Sequence, residues 1–226
     1  MKGPAAGAVG VDAYRAGWVA VRLRDGGFDA AWSAPDLATL LAGVSADDVI
    51  GVDIPIGGVP TGWRTADGEA KRLLGAAHMR VFAVPPYPVW SVEPYAAANA
   101  ECVRLTGAGL SVQAYGLLAK MRQADQHPGV LHEVHPELVF AALAGAPLAE
   151  SKKTWNGLTR RRRLLAGAGV ELPDDLPTAG RAGADDVLDA AAVAWCAHRI
   201  GHRQAAYVPA DGDQSDHRGR PIRIWY

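Results

Sequence analysis

Two aspartates stand at matching places in the chain, at the ends of Ala8-Val9-Gly10-Val11-Asp12 and Val49-Ile50-Gly51-Val52-Asp53. Each apolar run is short and β-branched, which predicts a buried strand closing in Gly-Val-Asp. A carboxylate at the end of such a strand is poorly placed for packing and well placed to hold a cation. If the two strands are parallel neighbours, about 4.8 Å apart, both carboxylates reach one metal ion. Further acids stand at predicted element ends: Glu133, and the group Asp185, Asp186 and Asp189. On a helix, Asp186 and Asp189 are i, i+3 neighbours and Asp185 and Asp189 are i, i+4 neighbours, so either pair can face one site. Oxygen-only ligands suit Mg²⁺ or Mn²⁺. Two such ions about 4 Å apart activate water and stabilise the leaving oxygen in phosphodiester cleavage. The expected site therefore has Asp12, Asp53 and Asp186 on the metals, with Glu133 and Asp189 assisting and Asp189 counted among the ligands. Each acid also has a plainer use. Asp12 and Asp53 can form strand-end turns, Asp185 can cap a helix, Asp186 can complement its dipole, and Glu133 can pair with an arginine.

The elements that must position these acids follow from local pattern. A second strand spans Trp18 to Arg24, Asp25-Gly26-Gly27 signals a hairpin, and Phe28 to Ser33 makes the third. Ser33 or Asp36 opens a helix through Leu37, Leu40 and Leu41, ending near Gly43. The strand carrying Asp53 follows and can lie parallel to the first. Thr65 to Leu74 is predicted helical. Pro85, Pro86, Pro88 and Pro94 make 82–94 an extended loop, suited to a lid or a dimer contact. Helices follow over Tyr95 to Leu105 and Ser111 to Gln123. A strand over Val130 to His135 leads into a helix opened by Pro136. Helices over Ser151 to Leu165 and Asp185 to His198 complete the set, and 206–208 with 222–226 suggest a terminal hairpin.

Lys152 and Lys153 are expected beside the acids, where they can meet phosphate or transition-state charge. Arg15, Gln113 and His135 are further substrate-side candidates, as is Arg80. The run Arg160 to Arg163 covers all sides of a helix, so it reads either as a phosphate-facing surface or as a solvated helix with one or two arginines paired to acids. Trp63, Trp90 and Trp155 can stack bases or pack the core. His132-Glu133-Val134-His135 lacks the H-E-x-x-H spacing of a zinc helix.

Bulk properties narrow the class. The 226 residues suit one domain with an insertion, and composition is globular, 49% hydrophobic and 21% charged. A formal net charge of −1 gives no argument for nucleic acid from charge alone. Cys102 and Cys196 form no CxxC pair, so no zinc or disulfide framework is expected. The start lacks a signal-peptide h-region, and no run of 18 apolar residues occurs, so a cytoplasmic protein without a membrane partner is expected.

Several of these segments resemble the domain of unknown function 429 family, described as ribonuclease H-like nucleases. The matching segments are Gly10-Val11-Asp12, Gly17-Trp18-Val19 and Asp53-Ile54-Pro55-Ile56-Gly57. Arg72-Leu73-Leu74-Gly75, Gly109-Leu110-Ser111-Val112-Gln113 and Glu133-Val134-His135-Pro136-Glu137 follow. Lys152-Lys153-Thr154 and Asp185-Asp186-Val187-Leu188-Asp189-Ala190 end the series. The resemblance implies an α/β, ribonuclease H-like mixed five-stranded sheet of order 3-2-1-4-5 flanked by helices. It implies a single such domain over 1–226, with residues about 60–128 as a helical and loop insertion after strand 4. Strands one and four are neighbours in that order, which supports the shared site. The helix acids would complete it, with two Mg²⁺ or Mn²⁺ ions, and nucleic acid is the expected partner, with a homodimer as a further expectation. Ala13 and Tyr14 stand where the family usually has a glycine and a small residue, narrowing the expected cleft. Val112 replaces a frequent lysine and removes a phosphate contact.

Competing readings are a catalytically silent binding or assembly module that keeps the fold, and an actin-like phosphotransferase. The second usually needs two such domains and has no Gly-x-x-x-x-Gly-Lys counterpart here.

Overall fold

The computed structural model describes residues 7–127, 129–210 and 214–226. The chain divides into two compact units, one of residues 1–54, 129–206 and 225–226, the other of 55–128 and 207–224. The expected insertion of about 60–128 thus forms a unit that also takes in 207–224.

The first unit is built on a mixed sheet. Its strands are β1 (Ala8–Tyr14), β2 (Gly17–Arg24), β3 (Gly27–Ala34), β4 (Val49–Asp53) and β5 (Leu131–Glu133), in the order β3-β2-β1-β4-β5. This is the order implied by the resemblance. β2 and β3 join through Asp25 and Gly26, whose φ values of 51° and 81° give the left-handed two-residue turn a hairpin favours. β1 and β4 are parallel, with Gly10 opposite Gly51 and Asp12 opposite Asp53.

Helices α1 (Leu37–Leu41), α5 (Pro136–Ala144), α6 (Trp155–Gly167) and α7 (Ala184–Gly201) belong to this unit. Asp36 caps α1, its carboxylate accepting from Thr39 N at 2.8 Å. α7 packs against β1, β2 and β4. Its small residues let it approach closely: a β-carbon on Gly10 would stand 2.0 Å from Ala194 N and 2.1 Å from Ala190 O. Only glycine fits there. On Gly51 a β-carbon would meet Val193 Cγ1 at 2.8 Å. Strand side chains alternate, so the face that carries Gly10 and Gly51 also carries Asp12 and Asp53. Val19, Val21 and Leu23 of β2 line the same face and, with Val193 and Phe140, form the buried core. Each such side chain contributes about 1.5–3 kcal/mol.

Some boundaries differ from the sequence reading. β1 runs two residues beyond Asp12. β5 is only Leu131–Glu133, because His135 leaves the strand to precede Pro136 at the start of α5. α6 starts at Trp155 rather than Ser151. Residues 151–154 form a cap instead, in which Thr154 Oγ1 accepts from Gly157 N at 3.1 Å. α7 is capped at Gly183, so Asp185 lies inside the helix and is not its cap.

The second unit holds α2 (Thr65–Leu74), α3 (Tyr95–Thr106) and α4 (Val112–Asp125). Arg64 and Asp67 form a buried ion pair at 2.7 Å, and Arg64 Nη1 also donates to the Ile56 and Gly57 carbonyls. The proline-rich stretch contains a short 3-10 turn over Tyr87–Ser91 that buries Val89 and Trp90. Trp90 donates to Pro85 O, and Trp63 packs on the Val89–Ala114 core, so both aromatics are used in packing. β6 (Tyr207–Val208) and β7 (Ile224–Trp225) form a two-stranded sheet. No helix among the described residues is long and apolar enough to cross a membrane.

Candidate metal centre

The glycine contacts set the direction of α7. Ala190 and Ala194 sit over Gly10, and Gly201 lies near Val49 at the start of β4, so α7 runs opposite to β1 and β4. Its N-terminal half therefore covers the carboxyl ends of those strands. Val193 faces Gly51, and Asp189, one helical turn earlier, shares that side. The consequence is a cluster in which Asp12, Asp53 and Asp189 each place a carboxylate oxygen within 4.8 Å of the others. Asp12 and Asp189 are buried, and Asp53 keeps part of its surface open.

Charge is concentrated here. Burial holds the Asp12 carboxyl well above the usual carboxylate range, with the like charges of Asp53 and Asp189 adding to it. Asp53 is pushed up to about 8, by burial first and Asp189 next. Asp189 rises to about 6 through burial, against the pull of Lys152. Lys152 donates to Asp189 Oδ2. Burial disfavours its charge, but Asp189 and Asp53 hold its proton well above lysine's usual value. Lys153 donates to Asp185 at 2.5 Å. One lysine thus faces three carboxylates whose like charges raise one another.

The remaining expected residues separate into near and far. Glu133 is buried at the end of β5, beside Val52, and its charge acts on Asp53 without joining the triad. Asp186 also stays outside the triad. Its carboxylate accepts from Gly183 N at 3.2 Å, helping to close the start of α7, and burial and Asp185 raise its pKa. Of the two α7 acids expected as ligands, Asp189 is the one that meets Asp12 and Asp53, because Val193 one turn later faces β4. His135 precedes α5, its backbone N–H donating to Trp225 O at 3.2 Å. Arg15 is exposed in the turn after β1. Gln113 is exposed on α4 and Arg80 follows α2, both in the other unit. His132 packs edge-on against Trp225, at 5.9 Å between ring centroids.

One pair was not foreseen. Glu137, in the first turn of α5, accepts two bonds from Arg161 Nη2 at 2.7 and 3.0 Å, and both side chains are buried. Glu137 also raises Asp53 and Asp189. Its sequence signal was its place just after Pro136, in the first turn of the helix that Pro136 opens. Arg161 is the buried member of the arginine run, whereas Arg160, Arg162 and Arg163 are exposed.

A metal ion fits these residues. Asp189 Oδ1 is buried and has no hydrogen-bond partner among the described residues. An unbonded buried carboxylate oxygen is costly, and a hard cation would satisfy it. The donor set is all oxygen, as Mg²⁺ or Mn²⁺ prefers.

Comparison with known proteins adds the family. Neither curated proteins nor solved structures give a match. A family model described as "Protein of unknown function (DUF429)" matches residues 10–214, a span that includes every member of the acidic triad. The chain belongs to this DUF429 family.

Proposed function

We propose that this protein is a divalent-metal-dependent nuclease that hydrolyses phosphodiester bonds of RNA or DNA. The observation that carries the reading is the convergence of Asp12, Asp53 and Asp189 with an unbonded buried oxygen on Asp189. When bound, two Mg²⁺ or Mn²⁺ ions supply Lewis-acid polarisation and a nucleophile from water at neutral pH. The chain's own residues do the rest. Asp12, Asp53 and Asp189 hold the ions, and Glu133 adds negative charge beside Asp53. The buried Glu137–Arg161 pair acts on Asp189 through its charges. Lys152 balances part of the triad's charge, and Lys153, largely exposed, presents a cation to an incoming phosphate.

A second reading, a binding or assembly module without turnover, draws on the Lys152 contact, since an ammonium already gives Asp189 a counter-charge. One experiment separates the two. Wild type and Asp53→Asn are incubated with Mn²⁺ and a panel of single-stranded, duplex, hybrid and four-way nucleic acids. Cleavage by wild type that Asp53→Asn loses supports the nuclease. A folded wild type that binds Mn²⁺ and cleaves none of the panel overturns it in favour of the silent module.

A further inference from the structure

The opposite end of α7 carries a second set of metal-binding side chains that the acidic centre does not use. His198 and His202 are one helical turn apart, their ring centroids 4.3 Å from each other and their planes tilted by 45°. His202 Nδ1 lies 2.8 Å from the carbonyl oxygen of His198. A carbonyl only accepts, so Nδ1 carries a proton, and in the neutral ring Nε2 is then the free ligand atom. A backbone carbonyl on the second ring nitrogen is how metal-ligating histidines are commonly oriented. His198 turns its Nε2 toward the β2–β3 turn, where a β-carbon on Gly26 would stand 3.5 Å away. Burial and the neighbouring His202 hold His198 below the usual histidine value, which favours the neutral, ligating ring.

The surroundings have room and the right polarity. A cavity of about 530 Å³ is lined by both histidines, by Asp25 and by the small residues Gly7, Ala8 and Gly201. The charge of Asp25 acts on His198. Both imidazoles lie at the C-terminal end of α7, where the helix dipole favours a cation.

We propose that His198 and His202 form a two-nitrogen binding site for a borderline first-row cation such as Zn²⁺, Ni²⁺ or Cu²⁺ at this cavity. Imidazole nitrogen selects these ions over Mg²⁺, so the chain has a nitrogen site and an oxygen site at the two ends of one helix.

The test uses the whole chain. One equivalent of Cu²⁺ is read by electron paramagnetic resonance for nitrogen coupling, and Zn²⁺ affinity is measured by calorimetry. His198→Gln, His202→Gln and Asp53→Asn are compared, each with its fold checked by circular dichroism. The expected result is nitrogen-coupled Cu²⁺ and a Zn²⁺ affinity at least about tenfold weaker in either histidine variant. Asp53→Asn leaves the nitrogen coupling unchanged and alters only the Zn²⁺ bound at the acidic centre. An oxygen-only spectrum, or a Zn²⁺ affinity that moves with Asp53→Asn but not with the histidine variants, overturns the proposal.

Discussion

Lys152 sets its ammonium on the buried carboxylate of Asp189, at the point where Asp12 and Asp53 also converge. The pair joins the loop before α6 to the N-terminal half of α7. It also leaves one buried oxygen of Asp189 unbonded.

Replacing the lysine should expose that imbalance. Lys152→Met is expected to lower stability by about 3 kcal/mol at neutral pH, because an unpaired buried charge remains. Adding Mg²⁺ or Mn²⁺ should recover much of the loss, through binding to the folded state alone. Urea unfolding with and without the ion measures both effects.

Stability should also depend on pH in an unusual direction for carboxylates. Asp53, near 8, and Asp189, near 6, are raised above their unfolded values, so the folded state binds more protons than the unfolded state between about pH 4 and 8. Their contribution is fully present below that window and is lost as pH rises through the folded values. Without metal the protein should melt at a lower temperature at pH 8.5 than at pH 5.5. Saturating Mn²⁺ should flatten the difference, since the cation replaces the protons. Thermal melts at both pH values, with and without Mn²⁺, read the sign directly.

The two α7 aspartates separate by role. Asp189→Asn should abolish Mn²⁺-dependent cleavage, because it removes a charge from the triad. Asp186→Asn should keep cleavage within about tenfold and cost on the order of 1 kcal/mol through the weakened helix start. Rates and denaturation midpoints of the two variants, measured side by side, decide between the residues.

Gly10 and Gly51 offer a graded test of packing. Gly10→Ala drives a β-carbon into backbone atoms of α7 and should cost about 3 kcal/mol or more. Gly51→Ala meets valine methyl groups that can shift, and should cost about 1–2 kcal/mol. Equal losses in urea unfolding would contradict this account of why the helix sits where it does.

Much of this arrangement was legible in the chain. The Gly-Val-Asp echo gave two strand ends, and the structure places them opposite each other. The helix acids were visible as a group, but which of them faces the strands was not. Spacing allows both Asp186 and Asp189, and the choice depends on the close seat of Ala190 and Ala194 on Gly10, a tertiary contact. Lys152 and Lys153 were expected near the acids for the charge they carry, while their individual partners, Asp189 and Asp185, are set by the fold. Arg161 could not be told from its three neighbours, since a run of arginines carries no phase. The return of residues 207–224 to the second unit left no local trace, as short strands and turns say little about distant partners.

That return bears on how the molecule is made. Trp225 bridges to Val134 beside the central sheet, and residues 207–224 complete the other unit. On a ribosome, then, neither unit can reach its finished form until the segment beyond residue 206 has emerged. A nascent chain stalled before that point should hold the acidic triad's strands and helix, yet lack the last two residues of their unit and the whole closing segment of the other.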